Sequence, residues 1–232
     1  MEDVNQDLED FLKRVSEYES TQDTYNPWAS YDPIYDFGAE APRIRLAHLR
    51  EYLGCRIEKA RYLLVAEAVG YQGAKFSGVP LTSERILLGY HSEIEVSDIL
   101  PILKFKRTSN ALTAPSGAVK TKGFAEPTAT IVWSFLGETK LRPTEVVLWN
   151  IFPFHPFRKH AGALSNRAPR ADELALGKKY LDQLIALLPP KVELIAIGEK
   201  AAQTLDGVPA KVRHPANGGA RIFREQLSKL VS

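Results

Sequence analysis

Three uninterrupted apolar runs set the strongest limit on what this chain can become: Ala60-Arg61-Tyr62-Leu63-Leu64-Val65-Ala66, Val146-Val147-Leu148-Trp149-Asn150-Ile151-Phe152 and Val192-Glu193-Leu194-Ile195-Ala196-Ile197. A strand with one wet face alternates polar and apolar residues. Runs that do not alternate belong to strands covered on both faces, as in a parallel sheet packed between helices. A shorter run, Ala210-Lys211-Val212-Arg213, supplies a fourth candidate strand. Helical spacing surrounds these runs: Val4, Leu8, Phe11, Leu12 and Val15 within residues 3–18, then 44–52, 127–137, 170–188, 199–205 and 220–230. Strands alternating with helices predict a three-layer α/β/α sandwich around a short parallel sheet.

The 232 residues, 44% of them hydrophobic, are enough for one such core. The expected organisation is an N-terminal helical extension and irregular segment over 1–42, followed by a single α/β/α domain over 43–232. The irregular part, TQDTYNPWASYDPIYDFGAEAP, carries Tyr25, Trp28, Tyr31, Tyr35 and Phe37. Aromatics in such a loop most simply pin it to the core. A base-stacking surface is the alternative.

A net charge of +2 neither requires nor excludes nucleic acid. Cys55 is the one cysteine, so an internal disulfide and a four-thiolate metal centre are both impossible. His155 and His160 are off the i, i+4 spacing of a common helical zinc motif and have no carboxylate between them. No metal and no cofactor is expected. The start, MEDVNQDLEDFLKRV, is acidic and lacks the apolar centre of a secretion signal, and no run of about 18 apolar residues occurs. The expectation is a cytoplasmic monomer without membrane partners.

Ligands of open parallel sheets bind beyond the carboxyl ends of the strands. After the first run comes EAVGYQGAKFSGVP, opening with Glu67; Asn150 sits near the end of the second; His214-Pro215-Ala216-Asn217-Gly218-Gly219 follows the fourth. A carboxylate, an amide and an imidazole thus converge on one sheet edge. Read alone, such residues serve equally well as caps and turn formers. The glycine patterns that cradle phosphates, GxGxxG and GxxxxGK[ST], are absent.

In order and spacing, EAVGYQGAKFSG, the strand carrying Asn150, the segment IAIGEKAAQTL and the HPANGG loop resemble the signature regions of the uracil-DNA glycosylase superfamily, from about Arg61 to Arg221. They are most similar to branches whose first motif reads Gly-Glu-Ala-Pro-Gly. The resemblance implies a monofunctional DNA glycosylase of base excision repair. Such an enzyme flips uracil out of DNA, hydrolyses its N-glycosidic bond and releases free uracil. Phe76 would then be the wall on which the base stacks, with Gly70 and Tyr71 beside it. Asn150 would read the base edge, accepting from N3–H and donating to O4, a pattern cytosine reverses. His214 would stabilise the departing pyrimidine anion as either imidazole or imidazolium, and Glu67 would orient water or stabilise the cationic sugar. Asn217, Gly218, Gly219 and Arg221 would enter the DNA, with Asn217 or Arg221 as the wedge. Lys104, Lys106, Arg107, Lys120, Lys122, Arg158 and Lys159 are available for phosphates.

Three positions depart from the family pattern. Ala68 stands where some branches carry Asp, Val69 where Pro is usual, and Gly70 where the most selective branch has a Tyr that excludes the thymine methyl. They leave open a wider base range. Two alternatives also stay open: a non-catalytic damaged-DNA-binding protein of the same fold, and an unrelated α/β enzyme acting on a nucleotide or other small molecule.

Overall fold

The computed structural model describes residues 2–102, 104–205 and 210–231, with side chains described from Asn5 onward, so the expectation for Val4 lies outside the described side chains. In chain order the elements are α1 (Glu2–Ser16), β1 (Thr24–Tyr25), α2 (Ala41–Gly54), β2 (Tyr62–Ala68), α3 (Ala74–Ser77), α4 (Glu84–Leu87), α5 (Gly117–Lys122), α6 (Pro127–Glu138), β3 (Val146–Phe152), β4 (His155–Pro156), α7 (Ala171–Leu187), β5 (Glu193–Ile197), α8 (Glu199–Thr204), β6 (Ala210–Val212) and α9 (Ala220–Leu227). The four apolar runs form one parallel sheet in the order β3-β2-β5-β6, flanked by helices.

The burial pattern explains why the runs do not alternate. All seven residues of β3 are buried, as are the first five of β2. In register, Ala66 faces Asn150 across the β2–β3 pair and Val65 faces Ala196 across β2–β5. The central strands therefore end together, and the loops that leave them emerge at one edge. Proline starts both α2 and α6 within the first two positions, where a missing N–H costs nothing.

The described part of the N-terminal segment contributes directly to this core. Leu8, Phe11, Leu12 and Val15 belong to the same apolar cluster as the sheet, and α1 packs on α2 and α7. The aromatics of the irregular segment divide. Tyr25 and Trp28 are buried, and Trp28 lies parallel to Trp149 at 6.1 Å while its indole N–H donates to the Gly78 carbonyl. Tyr31 and Phe37 are exposed, so the pinning expectation does not extend to them.

Charge fastens the same segment. The fully buried Arg45 guanidinium donates to Asp36 Oδ1 at 2.7 Å and Oδ2 at 3.0 Å, and to the Pro27 and Ser30 carbonyls. The buried Lys75 ammonium holds Asp32 at 3.1 Å. Removing one partner of such a pair strands a charge in the interior, at about 3–5 kcal/mol. At the other end, Arg167 and Arg170 join Asp23 to Glu173 in the first turn of α7. The pair β1–β4, Thr24 opposite Pro156, completes the attachment.

Candidate active site

A cleft of about 490 Å³ opens at the edge where the parallel strands end. Its wall includes Glu67 and Gly70 from the end of β2 and the loop after it, Asn150 from β3, Gly198 and Lys200 at the start of α8, and His214 and Asn217 beyond β6. The carboxylate, amide and imidazole picked out in the sequence thus line one cavity.

Each is held differently. Asn150 is 3% exposed, and its Oδ1 is buried without a hydrogen-bond partner. Such an atom costs about 1–3 kcal/mol unless a ligand satisfies it. It points to a donor that arrives from outside the protein. Glu67 stands in the partly open strand end and faces the Lys200 ammonium at 3.3 Å. Lys200 occupies the first turn of α8, directly after the turn at Gly198.

His214 is fixed by its own loop. The Ala216 N–H donates to Nδ1 at 3.1 Å. That nitrogen therefore carries the lone pair, and in the neutral ring the proton sits on Nε2. Burial, and then the nearby Arg213 charge, lower the pKa below the ordinary histidine value. Both effects favour a neutral ring with an Nε2–H donor. The loop is compact because Gly219 has no side chain: a Cβ there would lie 2.1 Å from the His214 carbonyl oxygen. Asn217 adopts a left-handed φ of 52°, which asparagine tolerates better than most residues, and is exposed at the loop tip.

Several expected residues lie elsewhere. Phe76 is fully buried outside the cleft, stacked on Phe124 at 4.4 Å with an interplanar angle of 5°. The partner ring sits in a distant loop and covers one face of Phe76. Leu81 lines the cleft instead, with a φ of 47°. Tyr71 meets Phe124 edge-on, and its N–H donates to Asn166 Oδ1, without joining the cleft wall. Gly218, Gly219 and Arg221 belong to the loop and to α9 outside the wall, and Arg221 pairs with Glu225. His155 is buried, with ring nitrogens 3.1 Å from the Val69 carbonyl and 3.0 Å from that of Ala163. It fastens the loop after β2 rather than lining the cavity. Among the basic residues, Arg107 donates to the Lys120 and Val119 carbonyls and Lys159 reaches Gln22.

The structure also brings in residues the sequence did not single out: Leu81, Glu126, Asn166, Arg167 and Lys200. Glu126 occupies the N-cap of α6 without capping it. A Glu-Pro pair reads as a helix start, and nothing local shows that the carboxyl enters a cavity. Burial raises its pKa to about 7. Among the described residues, no group of three or more histidine, cysteine or acidic side chains has the geometry to hold a metal ion, and no helix is long and apolar enough to cross a membrane.

A family model described as the uracil DNA glycosylase superfamily matches residues 111–230, a span that includes Asn150 and His214 but not Glu67. Among solved structures, the chain is similar to wild-type SMUG2 from Pedobacter heparinus, with a TM-score of 0.61 and 15% identity over 98% of this chain and 96% of that one. At that identity the likeness shows the fold. No curated protein matches the chain.

Proposed function

The chain belongs to the uracil DNA glycosylase superfamily, and from that premise we propose that it excises uracil from DNA as a monofunctional, metal-independent hydrolase. The observation that carries this reading is the unpartnered Oδ1 of Asn150 in a cleft shared with Glu67 and His214.

An extruded uracil presents N3–H to that oxygen and O4 to the amide nitrogen. Leu81 supplies apolar surface to the ring, an aliphatic contact in place of an aromatic stack. As the bond between C1′ and N1 breaks, its electron pair passes to the pyrimidine. The Nε2–H of His214 donates to the oxygen where that charge gathers, an interaction stronger in the transition state than in the ground state. Glu67 stabilises the cationic sugar and orients the water whose oxygen bonds to C1′. One water proton is released and uracil leaves with its electron pair, to be protonated in solvent. Asn217, at the tip of the loop, fills the space the base vacates.

Alkali-sensitive strand scission of a uracil-containing oligonucleotide, in the presence of a chelator, tests the proposal. Scission at the uracil position is expected. Retarded mobility without scission would replace this reading with damage recognition, and neither result would remove DNA as the substrate.

A further inference from the structure

Glu126 stands out in the cleft because one oxygen of its carboxyl is buried and unmet by the protein. Its Oε2 is buried without a hydrogen-bond partner, as is Oδ1 of Asn150 on the same wall. The niche is built around it. A Cβ at Gly73 would lie 2.3 Å from Oε2, so the carboxyl in its present position rests directly against the bare backbone of that glycine. A Cβ at Gly70 would lie 3.6 Å from Oε1 and 3.8 Å from the amide of Asn166. The carboxyl and that amide therefore meet at Gly70. Asn166 Oδ1 accepts from the Tyr71 N–H, which leaves its NH₂ as the free end.

The other charged or titratable groups on the wall are Glu67 from β2, Arg167 from the loop before α7, Glu199 and Lys200 from α8, and Arg213 and His214 after β6. Lys200 is paired with Glu67, and Arg167 with Glu173 and Asp23. Among the described residues none forms an ion pair with Glu126. Burial is the one cause moving its pKa, to about 7.

We propose that Glu126 is a further catalytic residue: its carboxyl, in the protonated form, donates a hydrogen bond to a carbonyl oxygen of the extruded base and shares with His214 the charge of the departing pyrimidine. This rests on the base-excision reading above. Uracil offers two carbonyl oxygens for one N3–H, and Asn150 takes N3–H and one oxygen. What remains is acceptor-rich, and it gains negative charge as the bond breaks. A donor there stabilises the transition state, whereas a carboxylate opposes it; a carboxylic acid kept neutral by an apolar site is a known way to supply such a donor.

The test is single-turnover excision of uracil from an oligonucleotide between pH 5.5 and 9, with thermal melting of each variant as the folding control. Wild-type rates should fall by about tenfold per pH unit above about 7, where the donor is lost. Glu126→Gln, isosteric and a permanent N–H donor, should abolish that fall and exceed the wild type at pH 9. Glu126→Ala should melt normally and be slower at every pH by about tenfold or more. An active wild type whose alkaline fall persists in Glu126→Gln would overturn the inference and leave the excision reading standing. A wild type that binds uracil-containing DNA but never excises would overturn both.

Discussion

The Glu67 carboxylate lies 3.3 Å from the Lys200 ammonium, across the join between the end of β2 and the first turn of α8. The two belong to adjacent strand–helix units, so the pair fixes the Glu67 carboxylate at the strand end of the cleft. Lys200 lines the same cleft, and its ammonium is engaged by Glu67, so its expected effect on the reaction passes through that carboxylate. Lys200→Ala should therefore lower kcat by about fivefold, the scale of an exposed pair, with KM little changed. Lys200→Arg should recover most of the loss. Steady-state kinetics on uracil-containing DNA would show it, and a loss confined to KM would instead make Lys200 a phosphate contact.

Asn150 provides a different signature. Its Oδ1 is buried without a protein partner, so the side chain contributes little to holding the free protein together and its acceptor is left for a substrate N–H. Asn150→Ala should slow excision by about 10²–10³-fold while leaving the melting temperature equal to or above that of the wild type. Kinetics and calorimetry on the same preparation decide it. A variant that is both slow and less stable would make Asn150 a structural residue.

The strands were legible because burial on both faces removes polar alternation, which is why all seven residues of β3 read as one run. Asn150 and His214 were legible for a related reason: parallel strands deliver their ends to one edge, and polar residues there stand out against apolar runs. Residues delivered by connections were not. Glu126 precedes Pro127 and looks like an ordinary helix start, and Asn166 lies in a loop without any period. The placement of Phe76 was not legible, because it depends on what covers its face. Phe124 does so at 4.4 Å, and the sequence between them carries no sign of that pairing.

His214 predicts the acid side of the pH profile. The Ala216 N–H occupies Nδ1, and burial with Arg213 lowers the pKa. Protonation would place a second proton on Nδ1 and break that bond. The rate of uracil excision should thus fall on acidification only below the ordinary histidine value of 6.5. His214→Ala should lose about 10²–10³-fold together with this acid inflection. An inflection at or above that value would mean that the ring works as an imidazolium.

Two neighbouring glycines separate packing from backbone freedom. A Cβ at Gly219 would meet the His214 carbonyl oxygen at 2.1 Å, whereas one at Gly218 would meet nothing within 4 Å. Gly219→Ala must displace the His214 loop, so excision should drop sharply along with stability. Gly218→Ala pays only for its left-handed φ of 75°, about 1 kcal/mol. Denaturant melts and rates for the pair would test this, and equal effects of the two changes would contradict the geometry.

His48 makes stability itself depend on pH. It is 1% exposed; its Nδ1 lies 2.9 Å from the Ser77 carbonyl, and the Lys106 N–H donates to Nε2 at 3.3 Å. The neutral ring fits both partners, with Nδ1–H donating, and burial lowers the pKa from 6.5 to about 4. Between those two values the unfolded chain binds more protons than the folded one. Stability is therefore complete above the unfolded value and declines as pH falls toward 4, by about 3 kcal/mol in all. His155, also held at about 4 by burial, adds a change of the same sign. Urea unfolding between pH 4.5 and 7 should show stability rising with pH, with a slope reduced by up to about 1.4 kcal/mol per pH unit in His48→Gln. An unchanged slope in that variant would mean that the ring is already protonated in the folded protein.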